Sequence, residues 1–187
     1  MVKDAPLPQF LQGLTQEVSN IWLSDGNTVG KLHFDGSDNI LVQLVGTKNL
    51  TIFHPHDNAN LYEGHIQEAQ FEAEIDLKME RPWNFSRNNL LDSTSMVMSP
   101  IDLSNVDINR FPKFRAMQKM NCAIGPGDAL FLPSFWWHEV VSQPDKDRKF
   151  NLALNFWFEP FYKKEFPCAN CNLDINPNYF RFIDKYL

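Results

Sequence analysis

From Leu32 onward the regular stretches of this chain are strand-length, rich in β-branched, aliphatic and aromatic residues, and cut off by Gly, Pro, Asn and Asp. Pieces of that kind read as short strands rather than helices. "NIWLS", upstream of Leu32 and ahead of a "DGN" turn, is another such strand. Leu32 to Val45 reads as another, with "VGTKN" as a hairpin turn, "LTIF" as the returning partner and Pro55 as the stop. "NCAIGPGDALFLP" gives strand, turn, strand, and "FWWHEVVS" and "FNLALNFWFE" add two more around the polar loop "QPDKDRK". Helix signals stand at the ends, in a short entry over 7–18 and a tail, "NPNYFRFIDKYL", that puts Tyr179, Phe182, Ile183 and Tyr186 on one face, while "HIQEAQFEAEIDLKMERPW" mixes strand and helix signals. Residues 57–120 are rich in Asn, Ser, Asp and Pro, and are expected to form one long insertion with little regular structure, the kind of segment that often carries function. The expected architecture is all-β, a barrel or two-sheet jelly roll (a double-stranded β-helix) with short flanking helices. It forms a single domain over 1–187, with its core at about 20–160, its insertion at about 57–120 and a helical tail at about 161–187.

Composition narrows the class. The chain has 187 residues, 43% of them apolar, with 16 Phe and 5 Trp, enough to build a substantial core. A net charge of −6 and the lack of a basic stripe argue against nucleic acid and would suit a basic peptide. No apolar run approaches the ~20 residues that span a bilayer. The opening "MVKDAPLPQF" has no secretory h-region, which points to an intracellular protein, cytoplasmic or nuclear. Three cysteines are too few for a disulfide scaffold. Cys168 and Cys171 form a lone CxxC, half of a structural zinc site, and read as two ordinary thiols ahead of a zinc site shared across a dimer or a redox pair.

The chemistry gathers in "LHFDGSDNILVQLVGTKN". Alternate side chains of a strand share a face, so His33 and Asp35 point one way while Leu32 and Phe34 point into packing. An imidazole and a carboxylate on one wall offer two adjacent ligands for a divalent metal, and His138 in "LPSFWWHEVV" is the candidate third. Two His and one carboxylate make the facial triad of non-haem Fe(II) oxygenases, with positions left open for co-substrate and dioxygen. Read singly, each residue has a plainer reading: a surface His–Asp pair, or a buried histidine satisfied by backbone. Lys48, just past the turn, is by itself an ordinary turn lysine. Facing a barrel interior it needs an anionic partner, which the far carboxylate of 2-oxoglutarate would supply. Asn39 shares the His33–Asp35 face by strand parity and can donate an amide hydrogen bond nearby.

These pieces, "LHFDGSDNILVQLVGTKNLTIFHP", "GPGDALFLPSFWWHEV" and "NLALNFWFEP", span most of residues 20–160 in a specific order. The chain resembles the Jumonji-C (JmjC) subgroup of 2-oxoglutarate oxygenases, on the cupin fold, and within it the small hydroxylase branch. The resemblance implies Fe(II) on His33, Asp35 and His138, 2-oxoglutarate against Lys48, and amide contacts from Asn39 and Asn155. Asn155 and Trp157 share a strand face with Ala153 and so would line the same pocket. It further implies hydroxylation of a protein side chain, lysyl ahead of asparaginyl, with succinate and carbon dioxide released. The alternatives are a lysine demethylase, a catalytically impaired cupin that binds partners, or a metal cupin that needs no 2-oxoglutarate. Trp136 and Trp137 are expected either to shield the metal or to pack in the core. "RPWNF" is the expected aromatic contact with substrate, and the tail helix could pair two chains. The sequence departs from the family at Gly30, where a Thr is usual; Thr28 is the nearest hydroxyl to replace it. The family's upstream Tyr and N-terminal extension have no counterpart before the triad, which keeps the impaired reading open beside the active one.

Overall fold

The computed structural model describes residues 11, 14–66, 69–72, 84–87, 96–164, 172–180 and 183–184. In chain order its first strands are β1 (Gln16–Ser24), β2 (Val29–His33), β3 (Asp38–Val45), β4 (Thr47–Phe53), β5 (Gly64–Ile66), β6 (Ala69–Glu72) and β7 (Asn84–Arg87). There follow β8 (Met96–Met98), β9 (Met120–Ile124), β10 (Ala129–Leu132), β11 (Trp137–Gln143), β12 (Asn151–Phe158), β13 (Tyr162–Lys163) and β14 (Asp174–Ile175). A four-stranded sheet runs β1-β12-β3-β10 and a six-stranded sheet runs β5-β8-β2-β11-β4-β9, both antiparallel. From β2 to β4, and again from β9 to β12, each successive strand lies in the opposite sheet, which is the winding of a jelly roll.

That winding corrects two readings. The segment 32–45 is not one strand: β2 ends at His33, and β3 starts at Asp38 in the other sheet. Nor does the turn at Gly46 close a hairpin, because β3 and β4 are in different sheets. Only one residue separates β3 from β4, too few for the two-residue loop of a tight hairpin. Gly46 sits at φ 76°, and a Cβ there would lie 2.5 Å from the Gln143 carbonyl oxygen and 2.7 Å from Asn151 Nδ2. The corner therefore has room for glycine alone.

Strand alternation divides the apolar residues between three clusters. Leu41, Leu132 and Ala153 from one sheet meet Leu50, Ile52 and Ile124 from the other, which fills the space between the sheets. On the far side of the six-stranded sheet, Leu32, Phe34, Phe53, Leu61, Val97, Phe135 and Trp137 form a second, aromatic cluster. On the far side of the four-stranded sheet Leu11 packs with Ile40, Phe156 and Phe158.

The 57–120 stretch holds more regular structure than its composition suggests. β5 and β8 extend the six-stranded sheet, β6 pairs with β7, and Pro112–Ala116 is a 3-10 helix. Of the expected entry helix, residues 16–18 belong instead to β1, and 7–10 with 12–13 lie outside the described residues. In the tail Pro177–Tyr179 is a 3-10 turn, and the Tyr179 hydroxyl donates to the Glu159 carbonyl at 2.6 Å. Phe182, Tyr186, Trp83, Cys168 and Cys171 lie outside the described residues.

Candidate functional site

Three strands of the six-stranded sheet build one wall, in three rows. His138 of β11 stands opposite His33 of β2 and Ile52 of β4; Val140 stands opposite Gly30 and Leu50; Ser142 stands opposite Lys48 and donates its backbone N–H to the Thr28 carbonyl at 2.9 Å. The pairing of β2 with β11 slips between His138 and Val140. This irregularity is why positions 33 and 30, an odd number of residues apart, both reach the cavity. The facing wall comes from β3 and β12, with Asn39, Leu41, Asn155 and Trp157. Between the walls lies a cavity of 430 Å³. It is lined by every residue singled out in the sequence for metal or co-substrate: Thr28, His33, Asp35, Asn39, Lys48, His138, Asn155 and Trp157.

At one end, one ligand atom from each of His33, Asp35 and His138 lies within 4.8 Å of the others, and no other such group occurs among the described residues. His138 Nε2 is 3.4 Å and His33 Nε2 3.9 Å from the Asp35 carboxylate. Each imidazole uses its other nitrogen on backbone: His33 Nδ1 lies 2.6 Å from the Lys31 carbonyl and His138 Nδ1 2.9 Å from that of Trp136. A carbonyl only accepts, so each Nδ1 carries a proton and each Nε2 is the nitrogen turned toward Asp35 and available to a metal. Burial, together with the neighbouring His33, holds His138 down at a pKa of about 4, so it is neutral at pH 7.

Asp35 follows β2 directly, and its placement depends on the Ser134–Phe135 turn that precedes β11. The Phe135 N–H donates to the Asp35 carbonyl at 2.8 Å, and the Ser134 N–H donates to Asp38 Oδ1 at 2.8 Å. Phe135 itself sits at φ 66°, a conformation costing bulky residues roughly 1–3 kcal/mol. That hydrogen bond, and the packing of its buried ring 5.8 Å from Phe34, offset the strain. The turn thereby joins the first two ligands to the strand of the third.

Lys48 stands at the other end. It is 7% exposed, and its Nζ donates to Ser142 Oγ at 2.7 Å. Among the described residues no carboxylate lies within ion-pair distance of it, and burial pushes its pKa below the ordinary 10.5. Across the cavity Asn155 Nδ2 donates to Asn39 Oδ1 at 2.9 Å, which leaves the Asn39 amide nitrogen as its free end. Trp157 Nε1 and Asn155 Oδ1 are buried without a partner. Buried unpaired groups are costly, and this cavity holds an ammonium that lacks an anionic acceptor. The residues present therefore fit a metal at one end and an anion spanning to the other.

Asn39 reaches the site by a different route from the one expected: strand parity with His33 does not apply across two sheets, and the facing sheet delivers it instead. Neither Trp136 nor Trp137 lines the cavity. Trp137 is fully buried in the aromatic cluster and donates its Nε1 hydrogen to Asn58 Oδ1, while Trp136 packs edge-on to His54 at 4.9 Å. Gly30 lines the cavity between the metal and Lys48 rows. Sequence reasoning missed Ser142 and Asp38. Ser142 was findable, because it alternates with His138 and Val140 on one strand; Asp38 was not, because its partners Ser134 and Phe161 are 96 and 123 residues away.

Comparison with known proteins adds an independent line. The family model described as "Cupin-like domain" matches residues 2–164. JmjC domain-containing protein F of Dictyostelium discoideum is 32% identical over 170 residues, covering 84% of this chain and 32% of that protein. Lysine-specific demethylase 8 of Danio rerio is 30% identical over 139 residues, covering 74% and 27% respectively. The human protein named bifunctional peptidase and (3S)-lysyl hydroxylase JMJD7 is 24% identical over 173 residues, covering 92% and 48%. The chain thus spans between about a quarter and a half of the length of these relatives. No helix among the described residues is long and apolar enough to cross a membrane.

Proposed function

The chain belongs to the cupin-like domain family in its JmjC form, and on that premise we propose that it is an Fe(II)- and 2-oxoglutarate-dependent oxygenase that hydroxylates a protein side chain, lysyl ahead of asparaginyl. The observation that carries the proposal is Lys48: a buried cation without a carboxylate partner, in the same cavity as a His–Asp–His cluster. With both imidazoles neutral, a divalent ion, the Asp35 carboxylate and the Lys48 ammonium leave an excess of two positive charges, which a dianionic co-substrate cancels. When bound, iron and 2-oxoglutarate supply oxygen activation coupled to decarboxylation, giving succinate and carbon dioxide. His33, Asp35 and His138 hold the ion, Lys48 and Ser142 fix the distal carboxylate, and the donors of Asn39 and Trp157 orient the bound chain. Leu41, Leu50, Leu132 and Val140 line the cavity between these polar ends and exclude water there.

A protein substrate fits the net charge of −6, which favours a basic partner, and the lysyl preference rests on the relative named as a lysyl hydroxylase. Demethylation is the second reading, supported by the relative named as a lysine-specific demethylase. The two share one oxidation, and differ in whether the oxidised carbon is kept or leaves as formaldehyde. A turnover assay with Fe(II), 2-oxoglutarate and a lysine-containing peptide library, methylated and unmethylated, tests both. Succinate with a hydroxylated peptide supports the proposal, succinate with formaldehyde supports the second reading, and no succinate above the Asp35→Ala background refutes both.

A further inference from the structure

Gly30 is the second of the five residues of β2 and faces the cavity in the row between the metal cluster and Lys48. Glycine inside a strand weakens it, so the position needs a reason. The backbone gives none, because Gly30 is not among the residues with positive φ. Crowding gives none either: a Cβ there would meet nothing nearer than Val140 Cβ at 3.8 Å and the Val140 carbonyl oxygen at 3.9 Å, ordinary contact distances. Gly46 is the contrast, since its φ and its neighbours both demand glycine. What a side chain at position 30 would take up is cavity space alone.

We infer that Gly30 sets the width of the co-substrate site, and that the bare wall admits a 2-oxo dicarboxylate carrying a substituent on its chain. The inference rests on the co-substrate assignment above and deepens it. A ligand held by the metal at one end and by Lys48 at the other must pass the row of Gly30, Val140 and Leu50. Val140 and Leu50 are bulky and belong to or pack on the interior cluster, which leaves Gly30 as the side of that row with room. The cavity, at 430 Å³, is of a size that takes drug-sized ligands, and a five-carbon dicarboxylate fills only part of it.

The test is calorimetric titration of the Mn(II)-loaded chain, Mn(II) standing in for iron so that no turnover occurs. The ligands are 2-oxoglutarate and its 3-methyl and 4-methyl derivatives, against wild type, Gly30→Ala and Gly30→Val. One methyl that clashes with the wall lowers affinity by about tenfold or more. Wild type is expected to bind at least one methylated ligand within about threefold of 2-oxoglutarate, and Gly30→Val to shift that ratio by about tenfold against the methylated ligand, with Gly30→Ala between. Melting temperatures of the metal-loaded, ligand-free variants should equal or exceed wild type, which separates lost space from lost fold. An unchanged ratio in Gly30→Val, or wild-type rejection of both methylated ligands while 2-oxoglutarate binds, overturns this inference alone. Failure of wild type to bind any of the three overturns the co-substrate assignment and the inference with it.

Discussion

Lys164 and Glu63 form an ion pair at 2.9 Å with side chains 0% and 1% exposed, and Lys164 Nζ lies 5.1 Å over the Phe34 ring. Phe34 is the residue between the first two candidate metal ligands, and its ring also packs on Trp137 at 4.9 Å. Lys164→Met would remove the cation and leave the Glu63 carboxylate buried. Breaking one side of a buried pair typically costs about 3–5 kcal/mol, whereas replacing both sides with apolar groups is often neutral or stabilising. For a chain of this size the single change corresponds to a fall of about 6–20 °C in melting temperature. The double variant Lys164→Met/Glu63→Met should recover most of that loss. Denaturant unfolding of wild type, both singles and the double gives the coupling directly. Mn(II) affinity should fall in Lys164→Met and return in the double, because Phe34 carries the disturbance to His33 and Asp35. A single-variant cost under about 1 kcal/mol, typical of exposed pairs, would refute the reasoning. So would additive costs in the double.

Other outcomes follow from the same geometry. Lys48→Met should abolish measurable 2-oxoglutarate binding in calorimetry while raising the unfolding free energy of the ligand-free chain by on the order of 1 kcal/mol, since it removes a buried cation without a carboxylate partner. Lys48 is held below its ordinary pKa by burial, so the folded chain releases this proton more readily than the unfolded chain. Stability of the ligand-free wild type should therefore rise with pH between the depressed pKa and about 10.5, a slope absent in Lys48→Met. Affinity for 2-oxoglutarate should fall over the same window, as the ammonium is lost. Gly46→Ala should leave little folded protein by circular dichroism, because both its φ and its neighbours exclude a Cβ. Leu32→Ala, at a fully buried position in the aromatic cluster, should cost about 2–5 kcal/mol in urea unfolding.

The strands and the metal cluster could be read from the sequence because both depend on local alternation. His33 and Leu32 face opposite sides for the same reason that Ile52 and Phe53 do. Pairing could not be read in the same way. A glycine turn serves a hairpin and a sheet-crossing corner equally, and the single-residue spacing at Gly46 that marks the corner emerges only with the strand bounds. Asn39 was placed in the site by an argument that assumed one continuous strand, and it reaches the site through the facing sheet. The slip in β2 that turns Gly30 inward has no local signature, since it depends on register with β11, over a hundred residues later. Trp136 and Trp137 left two readings open, and packing decided between them: the second cluster, built on Leu32, Phe34 and Phe53, takes Trp137, and His54 takes the ring of Trp136. The strands β5 and β8 were hidden by their length of three residues each, too short for periodicity to register.

The account stands or falls on metal binding at the His–Asp–His cluster, and anaerobic Mn(II) titration followed by loss of the free-ion paramagnetic resonance signal measures it most directly. One ion per chain in wild type is predicted, with that binding lost separately in His33→Ala, Asp35→Ala and His138→Ala, each folded by circular dichroism. Unbound Mn(II) in wild type, or an ion retained by all three variants, would contradict it.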